Sequence, residues 1–361
     1  ACRGDRPGGD SAARVGGCVC CDVGGVVVIS STGGGNAAGG IGGCSRPDRG
    51  GSVALSNSTG SGNSVVNDPQ FSSDDGGGIF SGGSVTLTNS TVSGNSASNA
   101  GGCMFSSGGA TLTNSTVSGN SASQNGGGIV SHVSITLANS TVSGNSASSG
   151  GGISGGSVAA SNAIVSGNPG GDVAGVTISG SHNLVGNVAN LALGPLADNG
   201  GPTQTLLPQP GSAAIDAGDD ALCALFDQRG LKRPQNAHCD IGAVEVAVPG
   251  TIASVTGSNQ SATIWHDFSN PLLVQVAGPG GRLVQGVRLH VAPPASGQPG
   301  AACTDGTTDG SGLAYLFCRA NGVAGSYNVE VSAIGWPAVA PATFALTNVD
   351  DGDTLFRDGF D

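Results

Sequence analysis

Short bursts of alternating apolar and polar residues recur at a fixed step between Ser84 and Asn168. In Ser84–Asn95, Val85 and Leu87 alternate with Thr86 and Thr88, the pattern breaks at Asn89, and Val92 resumes it. Gly109–Asn120 and Val133–Asn145 repeat this almost residue for residue, and a worn copy closes at Ser161–Asn168. The final Asn of each copy stands at 95, 120, 145 and 168, giving steps of 25, 25 and 23 residues. Alternation at period two, with nothing at 3.6, predicts strands rather than helices. A further strand is expected at each of Gly76-Gly77-Gly78-Ile79, Gly101-Gly102-Cys103-Met104, Gly126-Gly127-Gly128-Ile129 and Gly150-Gly151-Gly152-Ile153. Three brief strands and three turns in about 25 residues predict one rung of a parallel β-helix solenoid, an all-β fold.

In such a stack each position lies about 4.8 Å above its own copy. Val85, Leu112 and Leu137 then belong to continuous apolar files, and the asparagines form two columns. One holds Asn57, Asn89, Asn114, Asn139 and Asn162; the other holds Asn63, Asn95, Asn120, Asn145 and Asn168. Asn tolerates a left-handed turn and its amide can both donate and accept, so both columns are expected to be inward ladders in which like bonds to like. Asn89-Ser90-Thr91 and its copies fit the glycosylation sequon, but inward side chains make that use unexpected.

Away from the clean repeats the chain divides into five stretches. Residues 1–50 are the least regular; Val26-Val27-Val28-Ile29 and Gly39-Gly40-Ile41 suggest degenerate first rungs, and Arg3-Gly4-Asp5 is read as a chance tripeptide. Residues 51–190 form the β-helix, with Gly51–Asn63 as a rung 32 residues ahead of its next copy and the surplus expected to bulge as a loop from Val65 to Asp75. Residues 191–248 are aperiodic and Pro-rich, which suits a cap over unpaired strand edges at the end of a solenoid. In residues 249–349 period-two runs at Leu272–Val276, Val287–Val291, Leu313–Phe317 and Tyr327–Val331 predict an antiparallel β-sandwich. Residues 350–361 are an acidic tail with Phe356 and Phe360.

Two resemblances extend this reading. The series Leu193-Gly194-Pro195-Leu196-Ala197-Asp198-Asn199-Gly200-Gly201-Pro202, Pro210–Gly218, Asp227-Gln228-Arg229-Gly230, Arg233-Pro234 and Cys239–Glu245 resembles the signature of the bacterial choice-of-anchor Q family, over roughly residues 51–246. That resemblance implies a right-handed parallel β-helix of a secreted or surface protein, attached by varying C-terminal devices. The family's CSLREA-type opening motif is absent here. Gly286-Val287, Thr308–Gly312 and Ala324–Tyr327 look like bacterial immunoglobulin-like modules of invasin-type adhesins, which implies a spacer. The tail is similar to short C-terminal tails of secreted gammaproteobacterial proteins, so a Gram-negative source and a secreted or cell-surface location are expected. The sequence begins without Met and without a hydrophobic signal core.

Charge narrows the function. The formal net charge is −12 and no Lys or Arg occurs between Arg49 and Arg229, so a basic nucleic-acid groove is excluded. No run approaches the roughly 20 apolar residues of a membrane span. Ten cysteines suggest an oxidising compartment, with Cys223–Cys239 and Cys303–Cys318 as short-loop disulfides. Cys2, Cys18, Cys20, Cys21 and Cys44 show no zinc-finger spacing, and neither metal nor cofactor is expected.

Catalysis on this fold needs particular groups. A uronate lyase requires a cation or a strong base, and the solenoid has neither Lys nor Arg. A glycosidase requires two facing carboxylates. The solenoid offers Asp68, Asp74, Asp75 and Asp172 and no Glu, with Asp68, Asp74 and Asp75 as the candidate groove residues. His132 and His182 each stand alone, while Asp227, Arg229, Lys232, Arg233 and Asp240 are expected to tie the cap together. The reading is a non-catalytic, monomeric binding or adhesion protein for surface carbohydrate or extracellular protein, with a polysaccharide hydrolase as the alternative.

Overall fold

A computed structural model describes residues 26–29, 32–34, 37–39, 51–66, 75–350 and 352, the first three groups as backbone only. Asp68, Asp74, Arg3-Gly4-Asp5, Cys2, Cys18, Cys20, Cys21, Cys44 and most of the acidic tail lie outside the described residues. The chain forms two compact units, residues 1–234 with 238–245 and residues 235–237 with 246–361.

The first unit is a parallel β-helix. One face stacks seven strands in chain order: Val26–Ile29, Val53–Ser56, Val85–Thr88, Ala110–Thr113, Ser134–Ala138, Ser157–Ser161 and Ile178–Ser179. A second face stacks seven more, from Thr32–Gly34 through Thr91–Ser93, Thr116–Ser118 and Thr141–Ser143 to Leu184–Val185. A third contains Ile79–Ser81, Met104–Ser106, Ile129–Ser131, Ile153–Ser154 and Val173–Ala174. The repeat sets the register: Val85, Ala110 and Ile135 pair in one file and Leu87, Leu112 and Leu137 in the next, all 1% exposed or less. Val92, Val117 and Val142 from the second face and Ile79, Met104, Ile129 and Ile153 from the third complete a continuous core.

Central rungs carry four strands rather than three. Ser96–Ala97 and Ser121–Ala122 stack on Ser64–Val66 and Ala37–Gly39 as a fourth short sheet. Two residues of Ser-Ala are too few for alternation to register, so hydropathy does not announce them. Ser64–Val66 is therefore strand, so Val65 and Val66 do not belong to the expected loop, and residues 67–74 of that expectation lie outside the described residues. The glycine triplets have a steric cause. A Cβ on Gly77 would run into the carbonyl oxygens of Ser96 and Gly102, and one on Gly102 into those of Ser121 and Gly127, because successive rungs touch backbone to backbone there.

The stretch after Leu191 covers a side of the stack: residues 203–234 and 238–245 run along the flank of the β-helix as a strap and dock on the Asn-Ser-Thr corners of successive rungs. Thr203 Oγ1 reaches Asn89 O (3.4 Å), Asn114 Nδ2 donates to Phe226 O (2.9 Å), Asn139 Nδ2 to Leu222 O (3.3 Å) and Asn162 Nδ2 to Asp219 O (3.0 Å). Ala214 and Ile241 pack with Ile164 in a small second core beneath it. The segment thus covers a flank of the stack, which the cap expectation did not include.

The strap explains a burial pattern that alternation forbids. Thr91–Ser93 and Thr116–Ser118 are buried at every position, since both faces of that sheet are covered. The outward Thr91 and Thr116 are bridged by one side chain: Gln228 Nε2 donates to Thr91 Oγ1 (2.7 Å) and Thr203 Oγ1 (2.9 Å), while Gln228 Oε1 accepts from Thr116 Oγ1 (2.7 Å). Gln228→Ala leaves the buried Thr116 Oγ1 without its acceptor and takes one partner from Thr91 Oγ1 and Thr203 Oγ1, which still donate to Gln204 O and Asn89 O. It is expected to destabilise the first unit by about 1–3 kcal/mol, read as a lower denaturation midpoint with unchanged m.

The second unit is a β-sandwich. Thr251–Thr256, Leu272–Ala277 and Leu313–Leu316 form an antiparallel three-stranded sheet. A five-stranded sheet runs Gln260–Thr263, Ala342–Val349, Gly325–Ala333, Arg288–Val291 and Gly306–Thr307, antiparallel except where Gln260–Thr263 lies parallel to Ala342–Val349. Leu272, Val274, Val276, Leu289, Val331 and Phe344 fill the space between them, all fully buried.

Candidate functional site

The two asparagine columns have different chemistry. Asn63, Asn95, Asn120, Asn145 and Asn168 form a ladder in which each Nδ2 donates to the Oδ1 of the next, at 2.9, 2.8, 2.8 and 3.0 Å. The backbone N–H of Asn63, Asn95, Asn120 and Asn145 also donates to that same oxygen, so every Oδ1 from Asn95 to Asn168 is doubly occupied. Asp172 ends the column, its Oδ1 accepting from both Asn168 N (2.9 Å) and Asn168 Nδ2 (2.7 Å).

The column Asn57, Asn89, Asn114, Asn139 and Asn162 is corrected. All five sit at left-handed corners with φ between 45 and 48°, which is why Asn occupies them. At Asn114, Asn139 and Asn162 the side-chain amides turn to the strap rather than to one another. The Oδ1 atoms of Asn89, Asn114 and Asn139 have no hydrogen-bond partner, and Asn162 Oδ1 accepts from Asp219 N at 2.8 Å. With their amides engaged by the strap, Asn114 and Asn139 are 7% and 1% exposed.

Of the carboxylates put forward for a groove, only Asp75 lies within the described residues. It is 5% exposed, and its Oδ1 accepts from Asn99 Nδ2 (2.7 Å) and Ala100 N (3.0 Å), tying one rung to the next. Asp172 lies four interstrand steps away along the third face, roughly 19 Å at the usual spacing. Hydrolytic carboxylate pairs stand about 5–10 Å apart, so these two do not make one. His132 meets the edge of Phe105 at 5.0 Å, and Phe105 stacks on Phe80 at 5.4 Å. His182 lies 3.9 Å from Asp219.

Asp227, Arg233, Asp240 and Glu245 of the strap are buried, whereas Lys232 is exposed. Arg233 Nη1 pairs with Glu245 Oε2 at 3.0 Å, both side chains fully buried, while its Nη1 and Nη2 also donate to Asp240 O and Gly242 O. Arg229 pairs with Asp227 at 2.8 Å, and Asp227 Oδ2 accepts from Glu245 N at 3.0 Å. Asp240 Oδ1 accepts from Asp216 N at 2.8 Å. Lys232 bridges Phe226 through its backbone. Cys223–Cys239 and Cys303–Cys318 are disulfides, and the thiol of Cys103 is buried, which pushes its pKa well up.

What the β-helix presents to solvent is an uncharged hydroxyl face. Thr86, Thr111 and Thr136 stack in register and are exposed, with Ser84 and Ser157 exposed at the strand starts and Thr88, Thr113 and Ser161 half-buried beside them. The sequence contained the signal for this face: the polar members of each alternating burst are Thr or Ser. Among the described residues no helix is long and apolar enough to cross a membrane.

No protein-family model and no curated protein matches the chain. Among solved structures it shows a slight likeness to FdeC, described as a broadly conserved Escherichia coli adhesin eliciting protection against urinary tract infections. That likeness has 17% identity and a TM-score of 0.23 over 31% of this chain and 37% of that one, too slight to assign fold or function. The match thus covers little more than a third of the solved FdeC chain.

Proposed function

We propose that this chain is a non-catalytic, exported bacterial β-helix protein of the choice-of-anchor Q kind, carried beside an immunoglobulin-like spacer, and that its hydroxyl face binds neutral carbohydrate. The observation that carries the reading is the register of Thr86, Thr111 and Thr136, which offers hydroxyl donors and acceptors at a regular repeat without a charge to desolvate. Two disulfides favour an oxidising compartment. Glycan and matrix-protein arrays probed with the whole chain test it. Binding to neutral glycans is expected, and Thr111→Lys, which sets a charge in the middle of the face, is expected to weaken it about tenfold or more. Equal binding by Thr111→Lys removes the face from the function, binding to proteins alone replaces the ligand class, and release of reducing sugar from any polysaccharide overturns the non-catalytic reading.

A further inference from the structure

The strap holds one group of ligand atoms that the binding function does not use. A carboxylate oxygen of Asp220 and the sulfurs of Cys223 and Cys239 all lie within 4.8 Å of one another. The two sulfurs are joined as a disulfide, with Cα atoms 6.6 Å apart. We propose that when this disulfide is reduced, Asp220, Cys223 and Cys239 bind a zinc ion that holds the strap in the position the disulfide otherwise fixes.

The chemistry balances. A dithiol supplies two electrons and two protons to the Cys223–Cys239 bond and becomes a disulfide itself, leaving two thiols. Zinc then displaces both thiol protons and takes two thiolates and one carboxylate, a ligand set it accepts, with Zn–S bonds of about 2.3 Å. A Cα separation of 6.6 Å is at the wide end of the roughly 4.4–6.8 Å spanned by disulfides, so two sulfurs can share an ion with little backbone movement.

The surroundings suit a metal–thiolate centre. Asn162 Nδ2 lies 3.4 Å from the sulfur of Cys223 and 3.8 Å from that of Cys239, placing an amide donor beside both ligands. Asp220 is positioned already, Oδ1 by the amide of Cys239 at 2.9 Å and Oδ2 by His238 Nδ1 at 3.0 Å. Cys239 is fully buried and Cys223 half-buried, while Asp220 is exposed, which leaves a fourth position open to water and an entry path for the ion. The pair Cys303–Cys318 has no such third ligand among the described residues.

The test uses the whole chain, reduced with a dithiol, freed of it anaerobically and given zinc. Zinc is expected to protect Cys223 and Cys239 from alkylation, while Cys303 and Cys318 react, as mapped by mass spectrometry. The reduced chain is expected to retain one more equivalent of zinc than Cys223→Ser/Cys239→Ser, and Asp220→Asn to weaken retention about tenfold or more. Cobalt is expected to give a thiolate charge-transfer band that the double variant lacks. Alkylation of all four cysteines at equal rates in zinc, equal retention by the double variant, or retention indifferent to Asp220→Asn overturns the proposal. The alkylation map needs no variant and decides the matter even if the double variant does not fold.

Discussion

Replacing Asn120 by Asp lowers the melting temperature of the first unit by roughly 10 °C at neutral pH, the expectation from about 3–5 kcal/mol for a buried group left without its partner and some 2–4 °C per kcal/mol at this size. Asn120 is 0% exposed, and its Nδ2 faces three acceptors, Asn145 Oδ1 (2.8 Å), Val92 O (3.0 Å) and Ser118 O (3.2 Å). A carboxylate at that atom meets only oxygens and donates to none. Asn114→Asp has a smaller effect, because Asn114 Nδ2 has a single bond, to Phe226 O of the strap. Thermal melts of the two variants followed by circular dichroism check the ordering. If Asn120→Asp melts with the parent, the ladder does not stabilise the stack.

Glu245→Ala produces the second large loss, about 3–5 kcal/mol, because it leaves the guanidinium of Arg233 buried and without its counter-ion. The same carboxylate accepts from the backbone of Asp240 at 2.8 Å, so the turn between them is released as well. The damage is confined to the strap, whereas Asn120→Asp acts on the stack. Limited proteolysis is expected to cut Glu245→Ala between residues 203 and 245 well before the rungs, and Arg233→Met/Glu245→Leu to recover part of the loss by removing both charges together. Cutting of the rungs first, or a double variant no more stable than Glu245→Ala, refutes this account of the pair.

Sequence and structure agree where a position is determined by its own copies. Leu87, Leu112 and Leu137 are periodic in the chain and stacked in space for one reason: a parallel rung places each residue on its repeat. The ladder Asn95, Asn120, Asn145 follows from the same translation, since an amide carries the donor and the acceptor it needs to bond to itself. Four sandwich strands, Leu272–Ala277, Arg288–Val291, Leu313–Leu316 and Gly325–Ala333, were legible from alternation as well, whereas Thr251–Thr256, Ala342–Val349 and the parallel Gln260–Thr263 were not.

Where a position is determined by a distant, non-repeating segment, repetition misleads. Asn114, Asn139 and Asn162 are as periodic as the ladder residues, yet their side chains donate to Phe226, Leu222 and Asp219 of a strap that has no period. Asp75 has the exposed, acidic look of a groove residue in sequence, but Asn99 and Ala100 of the next rung enclose it. Arg233 and Glu245 lie 12 residues apart in a stretch where spacing carries no geometric meaning, and only the fold brings them within 3.0 Å. The sequence by itself thus determined the parallel stack, its register and its uncharged Thr and Ser face, because translation by one rung is a local rule. Only the tertiary structure decided which flank is covered and which is left exposed, because that depends on a single-copy segment whose hydrogen bonds span more than 100 residues of chain.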